Sequence, residues 1–348
     1  QPLVYQYLLK QSLHWQQKAS VQGFRIDAIR HLENDFLSRI SKDSSAWMLG
    51  EDFNGNPAAL IDRAKETGLD ALFDFPLYYA LTEDLCDQNK VSQIASIISM
   101  DQYYPEDLKL VRFLDNHDLP RIYSRCKEDK AKVYQALTLL FSIQGIPMLS
   151  YGTESWSTGT FEPENRASFD WASIDQNLRH SIKTLAVFRN QNPVLEKGTA
   201  QIVHYTAEQL VIEQSWNGFL SYSVLNLSEQ NLPFTPPSNA SFISGLEQMG
   251  KNIFSKKEFL FPPQSTSILI YQGSPRPTPK MTTEIRLNTS QEGEFFLVGS
   301  SPNFGNWDPD KGILLEKRRS DYRTTVTLPQ KQIISFKVVE KKDDQYHW

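Results

Sequence analysis

Apolar positions in the first half of the chain fall into two alternating patterns, helically spaced sets and short continuous runs of strand length. Tyr5, Leu8, Leu9 and Leu13 share one helical face and Pro2 suits a first helical position, which predicts an amphipathic helix over 2–19. A short buried strand is expected over 21–27, a helix over 28–40 and a second strand over 46–50. The next helix is the best marked, with Asn56 as N-cap, Pro57 in the first turn, Leu60, Ile61 and Ala64 on one face and Gly68 just past the end. A third strand follows over 69–75, a helix around 82–99 and a fourth strand over 110–114. Val133, Leu137, Leu140 and Phe141 then mark a helix, 146–150 a fifth strand and 176–190 a last helix.

Short apolar strands alternating with longer helices predict an α/β fold of parallel βα units. The periodicity fits part of a β/α barrel or an open doubly wound sheet and does not choose between them. Beyond residue 196 helical spacing ends. Runs such as 209–214, 220–225 and 265–271 alternate with polar turns and predict an all-β, antiparallel sandwich. GSPRPTPK at 273–280 reads as a stiff exposed linker, and a second β unit follows with strands near 282–288, 294–298, 322–328 and 332–339. The expected units are thus 1–195, 196–272, the linker 273–280 and 281–348.

Composition adds exclusions. With 348 residues, 40% hydrophobic and 22% charged, the chain is an ordinary globular polypeptide with room for two or three domains. A net charge of −5 and a pI near 5.8 give no general attraction to nucleic acid or to anionic membranes. No apolar run approaches the roughly 20 residues of a membrane span. Cys86 and Cys126 lack metal-site spacing and read as two buried free thiols.

Three runs end predicted strands and deliver carboxylates: GFRIDAIRH at 23–31, GEDFNG at 50–55 and FLDNHD at 113–118. Arg25 lies on the same strand face as Asp27, which keeps that aspartate ionised. Glu51 leaves an apolar run toward a desolvated position, and Asp118 follows Asn116 and His117 in a polar turn. Each has a structural counterpart: an Arg–Asp pair at a strand end, a surface acid opening a loop, an ordinary turn. Glycosidic cleavage needs two such groups, a carboxylate that attacks or stabilises the sugar cation and an acid that protonates the leaving oxygen. The order and spacing of the three runs, with Arg25 and His117, resemble the α-amylase family, glycoside hydrolase family 13.

The resemblance implies a (β/α)8 barrel of which strands four to eight are present, with Asp27 as nucleophile, Glu51 as general acid/base and Asp118 as transition-state stabiliser. It extends to GIPMLSYGTE at 145–154 and FEPENRASFDW at 161–171. By the same resemblance Glu162 and Arg166 line the donor side, while Arg30 and His31 border the leaving group. His31 matches a position whose backbone carbonyl helps bind calcium, although a histidine without a ligand role reads equally well. Phe73, Phe75, Tyr78 and Tyr79 read as core packing rather than a sugar-stacking strip. FFLVGSSPNFGNWDP at 295–309, TVTLP at 325–329 and SFKVVEKKDDQYHW at 335–348 resemble a family-20 starch-binding module. There Trp307 and Trp348 would form a glucose platform and Lys337 a hydrogen-bonding partner. A second site with tyrosines is put in doubt, because Gln291 and the RRS run at 318–320 stand in their place.

The expected function is retaining, endo-type hydrolysis of α-1,4 bonds in starch and maltooligosaccharides by a secreted, monomeric, calcium-dependent enzyme. A cyclodextrin glucanotransferase or maltogenic-type transglycosylase is the rival of the same class; it usually carries a further β domain where this chain has eight linker residues. A non-catalytic glucan-binding protein is the rival of another class, and it predicts a broken triad. The family barrel would begin three strands before GFRID, and its starch-binding module would run past residue 348. The chain is therefore expected to be a fragment, its five strands an open arc, with little activity by itself.

Overall fold

The computed structural model describes residues 2–247, 251–252, 259–275, 280–318, 321–329 and 332–348, with backbone only at 251–252, 280 and 329. Part of the expected linker (276–279), and Arg319 and Ser320 of the RRS run, lie outside the described residues. Helix α1 (Pro2–Ala19) precedes β1 (Gly23–Ile26), followed by α2 (Asn34–Ser44), β2 (Trp47–Gly50), α3 (Pro57–Thr67) and β3 (Ala71–Phe73). Next come α4 (Phe75–Leu81), which continues as a π-helical segment Thr82–Gln88, α5 (Ser92–Met100) and β4 (Lys109–Phe113). Short α6 (Ile122–Arg125), α7 (Lys130–Ser142), β5 (Ile146–Met148), α8 (Gln176–Gln191) and short α9 (Val194–Lys197) complete this part.

The five strands form one parallel sheet in the order β1-β2-β3-β4-β5. Alternation along the strands separates two faces. Ala71, Phe73, Val111 and Phe113 pack with Leu49, Met148, Phe75 and Tyr78, whereas Met48, Leu72 and Leu110 pack against Ile29, Leu37, Leu60 and Ala64. Among the described residues β1 and β5 are the sheet edges, and both are only partly covered while β3 is buried throughout. Arg112 of β4 is enclosed between Asp74 (3.1 Å) and Asp101 (2.5 Å). Desolvation pushes the Asp74 carboxyl up to about 6 against the pull of Arg112.

Several expected elements form where their caps require. Asn56 accepts from Ala58 N at 3.0 Å and Gly68 closes α3 with φ 61°, as its sequence signals predict. The expected helix over 28–40 does not start at 28, because Ala28 takes a left-handed φ of 48° and turns the chain through Ile29–His31 before α2 begins. The expected strand 69–75 ends at Phe73: Asp74 caps α4 through Leu77 N (3.0 Å), and Pro76 sits in its first turn. The apolar face assigned to α1 is mostly uncovered. Tyr5 is buried, while Leu8 and Leu13 face solvent.

The remaining chain is antiparallel. Strands β6 (Thr199–Tyr205), β7 (Gln209–Trp216), β8 (Phe219–Asn226), β10 (Ser241–Glu247), β11 (Lys251–Asn252) and β13 (Ser265–Gln272) form one sheet, and β9 (Leu232–Phe234) pairs with β12 (Phe259–Phe261). Val211, Tyr222 and Tyr271 on one face of the larger sheet pack against Phe234, Phe259 and Phe261. Its other face, with Leu210, Ile212, Ile268 and Ile270, joins α5 and α7 in the largest core cluster. Arg189 fastens the junction by donating to the carbonyls of Phe141, Ile143 and Leu195 from Nη1 and of Gly145 from Nη2. The last unit pairs β14 (Lys280–Leu287), β18 (Tyr322–Pro329) and β17 (Glu316–Lys317) in one sheet. A second sheet holds β16 (Ile313–Leu314), β15 (Glu294–Gly299), β19 (Phe336–Lys342) and β20 (Gln345–His347). Phe295, Leu297, Phe304 and Tyr322 fill the core between them.

Cys86 and Cys126 are not free thiols. They form a disulfide across 40 residues with a Cα–Cα distance of 4.4 Å, tying the π-helical segment to the end of α6. Sequence spacing could not show it, because the two come together only when α4 packs beside the β4–α7 connection. Titration of the unfolded, unreduced protein with DTNB should find no free thiol, and Cys86→Ser with Cys126→Ser should lower the unfolding free energy by about 4 kcal/mol through the loss of loop-closure entropy. Two titrating thiols would show the pair to be open.

Candidate active site

The parallel register of β1 and β2 sets the first half of the site. Arg25 stands opposite Leu49 and Ile26 opposite Gly50. Just beyond, Glu51 N donates to Ile26 O at 3.0 Å and Ile29 N donates to Glu51 O at 2.9 Å, so the turn at Ala28 and the end of β2 hold each other. Gly50 permits this closeness: a Cβ there would lie 2.7 Å from Ile29 Cδ1 and 2.8 Å from Leu69 Cδ1.

From that frame Arg25 reaches both acids, Nη1 to Asp27 Oδ1 at 2.7 Å and Nη2 to Glu51 Oε1 at 2.5 Å. The Asp27 side chain is 71% exposed and that of Glu51 is 6% exposed. One carboxylate is thus open to an incoming ligand, and the other is enclosed by protein. The sequence pairs Arg25 with Asp27 alone; in the structure the same guanidinium also meets Glu51. Sequence reasoning passed over Asp52, which is buried beside Glu51 and takes Arg63 Nε at 3.2 Å, anchoring α3 to the strand end.

The end of β4 carries the second half. Asp118 N donates to Asn116 Oδ1 at 2.8 Å, and the Asp118 carboxylate meets His117 Nε2 at 3.2 Å and Arg166 Nη2 at 2.6 Å. Arg166 also donates Nε to His117 O at 2.9 Å and lies 3.5 Å from Glu162. Asn165, which sequence reasoning missed, donates to the carbonyls of His117 (3.1 Å) and Leu119 (3.2 Å). Its position inside FEPENR was the available signal, but an amide there has no distinguishing pattern. His117, Asp118, Glu162, Asn165 and Arg166, with Phe161, line a cavity of about 160 Å³. Beneath it Asp115 accepts from Arg121 Nε (3.1 Å) and Ile122 N (2.8 Å). Arg121 Nη2 in turn donates to Tyr151 O at 2.5 Å.

Asp27, Glu51 and Asp118 therefore share the C-terminal edge of one sheet but belong to two separate ion-pair groups. Arg30 and His31 are exposed on the turn after Asp27, with His31 N donating to Ala28 O at 3.0 Å. Calcium takes six to eight oxygen ligands. Among the described residues no group of three or more His, Cys, Asp or Glu side chains that could hold a metal ion is present. Phe73, Phe75 and Tyr78 are buried as core, while Tyr79 is partly exposed.

In the last unit the structure brings Trp307, Trp348 and Lys337 together. The indole rings lie 6.4 Å apart at 41°, and Lys337 Nζ is 6.0 Å from the Trp348 ring. Gly305, Asn306 and Trp307 all have positive φ (77°, 54° and 64°), an uncommon conformation for a side chain as large as tryptophan. A Cβ at Gly305 would meet Lys311 backbone at 2.7 Å.

Comparison with known proteins matches residues 1–192, more than half of the chain, to the alpha amylase catalytic domain, and residues 280–348 to a starch binding domain. An alpha-amylase of Schizosaccharomyces pombe is 34% identical over 162 residues, covering 46% of this chain and 27% of that protein. A cyclomaltodextrin glucanotransferase of Bacillus sp. is 26% identical over 253 residues, covering 70% of this chain and 35% of that protein. The chain thus spans about a third or less of the length of these relatives. The crystal structure of an alpha-amylase from Geobacillus thermoleovorans, complexed with acarbose, superposes with a TM-score of 0.70 at 21% identity over 79% of this chain and 65% of that one, a likeness of fold.

Arg25→Ala would leave the enclosed Glu51 carboxylate without its guanidinium. Urea denaturation should show the unfolding free energy reduced by roughly 1–3 kcal/mol, the cost of an unpartnered buried polar group. An unchanged midpoint and slope would contradict the bridging role.

Proposed function

The chain belongs to the α-amylase family, and on that basis we propose that its catalytic centre hydrolyses internal α-1,4-glucosidic bonds of starch with retention of configuration. The observation that carries this reading is the single guanidinium joining an exposed Asp27 to an enclosed Glu51 on neighbouring strand ends. In the proposed first step Asp27 attacks the anomeric carbon, the glycosidic bond breaks, and Glu51 gives its proton to the departing oxygen. In the second, water gives a proton to Glu51 and attacks the anomeric carbon, and the bond from that carbon to Asp27 breaks to free the carboxylate. Asp118, held by His117 and Arg166, would accept hydroxyl hydrogen bonds from the distorted ring as positive charge develops. Trp307, Trp348 and Lys337 would hold the starch granule. Secretion as a monomer is proposed with it, and the Cys86–Cys126 disulfide supports an oxidising compartment.

Transfer to a sugar hydroxyl in place of water is the second reading. The relatives named cyclomaltodextrin glucanotransferase favour it, and analysis of cyclic against linear products separates the two. Glu51→Gln, introduced into the protein that carries this chain, should lower starch cleavage at least about a thousandfold without changing its unfolding midpoint, since an amide is far too weak an acid to transfer a proton. The first product seen by NMR should be the α anomer. Cleavage within tenfold of the parent, or an initial β anomer, would overturn the roles given to Glu51 and Asp27.

A further inference from the structure

The starch-binding unit touches the parallel-sheet domain along α5. Ile333 N donates to Ser99 Oγ at 3.0 Å, and Ile333, like Ile97, packs on the core cluster that includes Ile98. Gln332 hydrogen-bonds the Tyr103 side chain just beyond the same helix. Beside this contact a cleft of about 630 Å³ opens between the two domains. Asn56, Ser92 and Gln93 line it from one side, and Trp307, Ser300 and Ser335 from the other.

Two properties of the cleft indicate what it takes. Its size falls within the roughly 300–1,000 Å³ of small-molecule sites. None of the residues lining it is charged: an indole face is accompanied by side-chain amides, hydroxyls, Gly55, Pro57 and Ile97. Phosphates, nucleotides and acidic peptides would find no counter-charge there, whereas an uncharged polyhydroxyl chain finds an apolar face for its C–H surface and amide or hydroxyl partners for its oxygens. The strained backbone at Trp307 also fits a side chain held for a ligand rather than for packing.

We propose that this cleft is an α-glucan site built by both domains, in which a chain stacked on Trp307 is also held by Gln93 and Asn56. It rests on the starch-binding reading of Trp307 and goes beyond it, because it assigns part of the affinity to residues outside the module. Asn56 follows Glu51 by five residues, which at full extension span no more than ~18 Å. A glucan in the cleft therefore lies within a short reach of the enclosed acid. The loop between them exposes Phe53, while Gly55 lies against the Tyr79 ring, where a Cβ would come within 3.0 Å of Cδ2.

Maltoheptaose binding to the full 348-residue chain, measured by calorimetry, tests the site. Gln93→Ala should weaken binding by roughly three- to tenfold, as expected for a lost hydrogen bond, with the thermal midpoint unchanged. If that variant does not fold, Ser335→Arg, an exposed change that puts bulk into the cleft from the other side, should produce a loss at least as large. Trp307→Ala serves as the control and should weaken binding more than Gln93→Ala. Loss in Trp307→Ala with parental affinity in folded Gln93→Ala or Ser335→Arg would overturn the shared site and leave the starch-binding reading standing. Parental affinity in all three would overturn both.

Discussion

The side-by-side register of β1 and β2 is the constraint on which the candidate active site depends. It places Arg25 opposite Leu49, so that the residues two further along each strand, Asp27 and Glu51, leave the sheet together on one face. A slip of one residue would send Glu51 to the helix-packed face and break the Arg25 bridge. Backbone bonds from Glu51 and Ile29 close the register at the strand ends, and the absence of a side chain at Gly50 lets the turn lie against them. Geometry at the site is therefore set by main-chain pairing, and the guanidinium only links what that pairing has already aligned.

Buried charge is distributed along the same sheet in a consistent way. Arg112 lies between Asp74 and Asp101, Asp115 takes Arg121, and Asp52 takes Arg63, each pair enclosed or nearly so. Buried pairs of this kind add little net stability relative to apolar packing, but losing one partner strands the other. Their effect here is positional. Asp74 caps α4, Asp115 holds Ile122 N at the start of α6, and Asp52 holds the middle of α3 through Arg63, so these helices are tied to strand ends. The exposed acids, Asp27 and Asp118, stand in front of this layer.

Domain junctions follow from strand alternation. The second sheet is apolar on both faces, one covered by β9 and β12 and the other by α5 and α7, which explains why α7 is buried along nearly its whole length. The starch-binding unit meets α5 through Ile333, and a neutral cleft lies beside that contact. The starch-binding unit thus meets the parallel-sheet domain directly, although the antiparallel sheets of 199–272 lie between them in sequence.

What the sequence determined by itself was local and periodic. Alternating apolar runs, the Asn56 cap, the Gly68 stop and the strand-end acids were legible because each depends on neighbours a few residues away. Motif order carried the candidate acids and the module, where Trp307, Lys337 and Trp348 do meet in space. Tertiary structure decided what depends on residues far apart in the chain. The Cys86–Cys126 bond joins segments that approach only when α4 and α6 pack, and Arg25 serves Glu51 only because β1 and β2 pair in parallel. Asn165 clamps the 117–119 turn across 46 residues or more, and Leu8 and Leu13 stay exposed because helical spacing names a face without supplying what covers it. Periodicity encodes which side of an element is apolar; only the packed chain determines what stands opposite it.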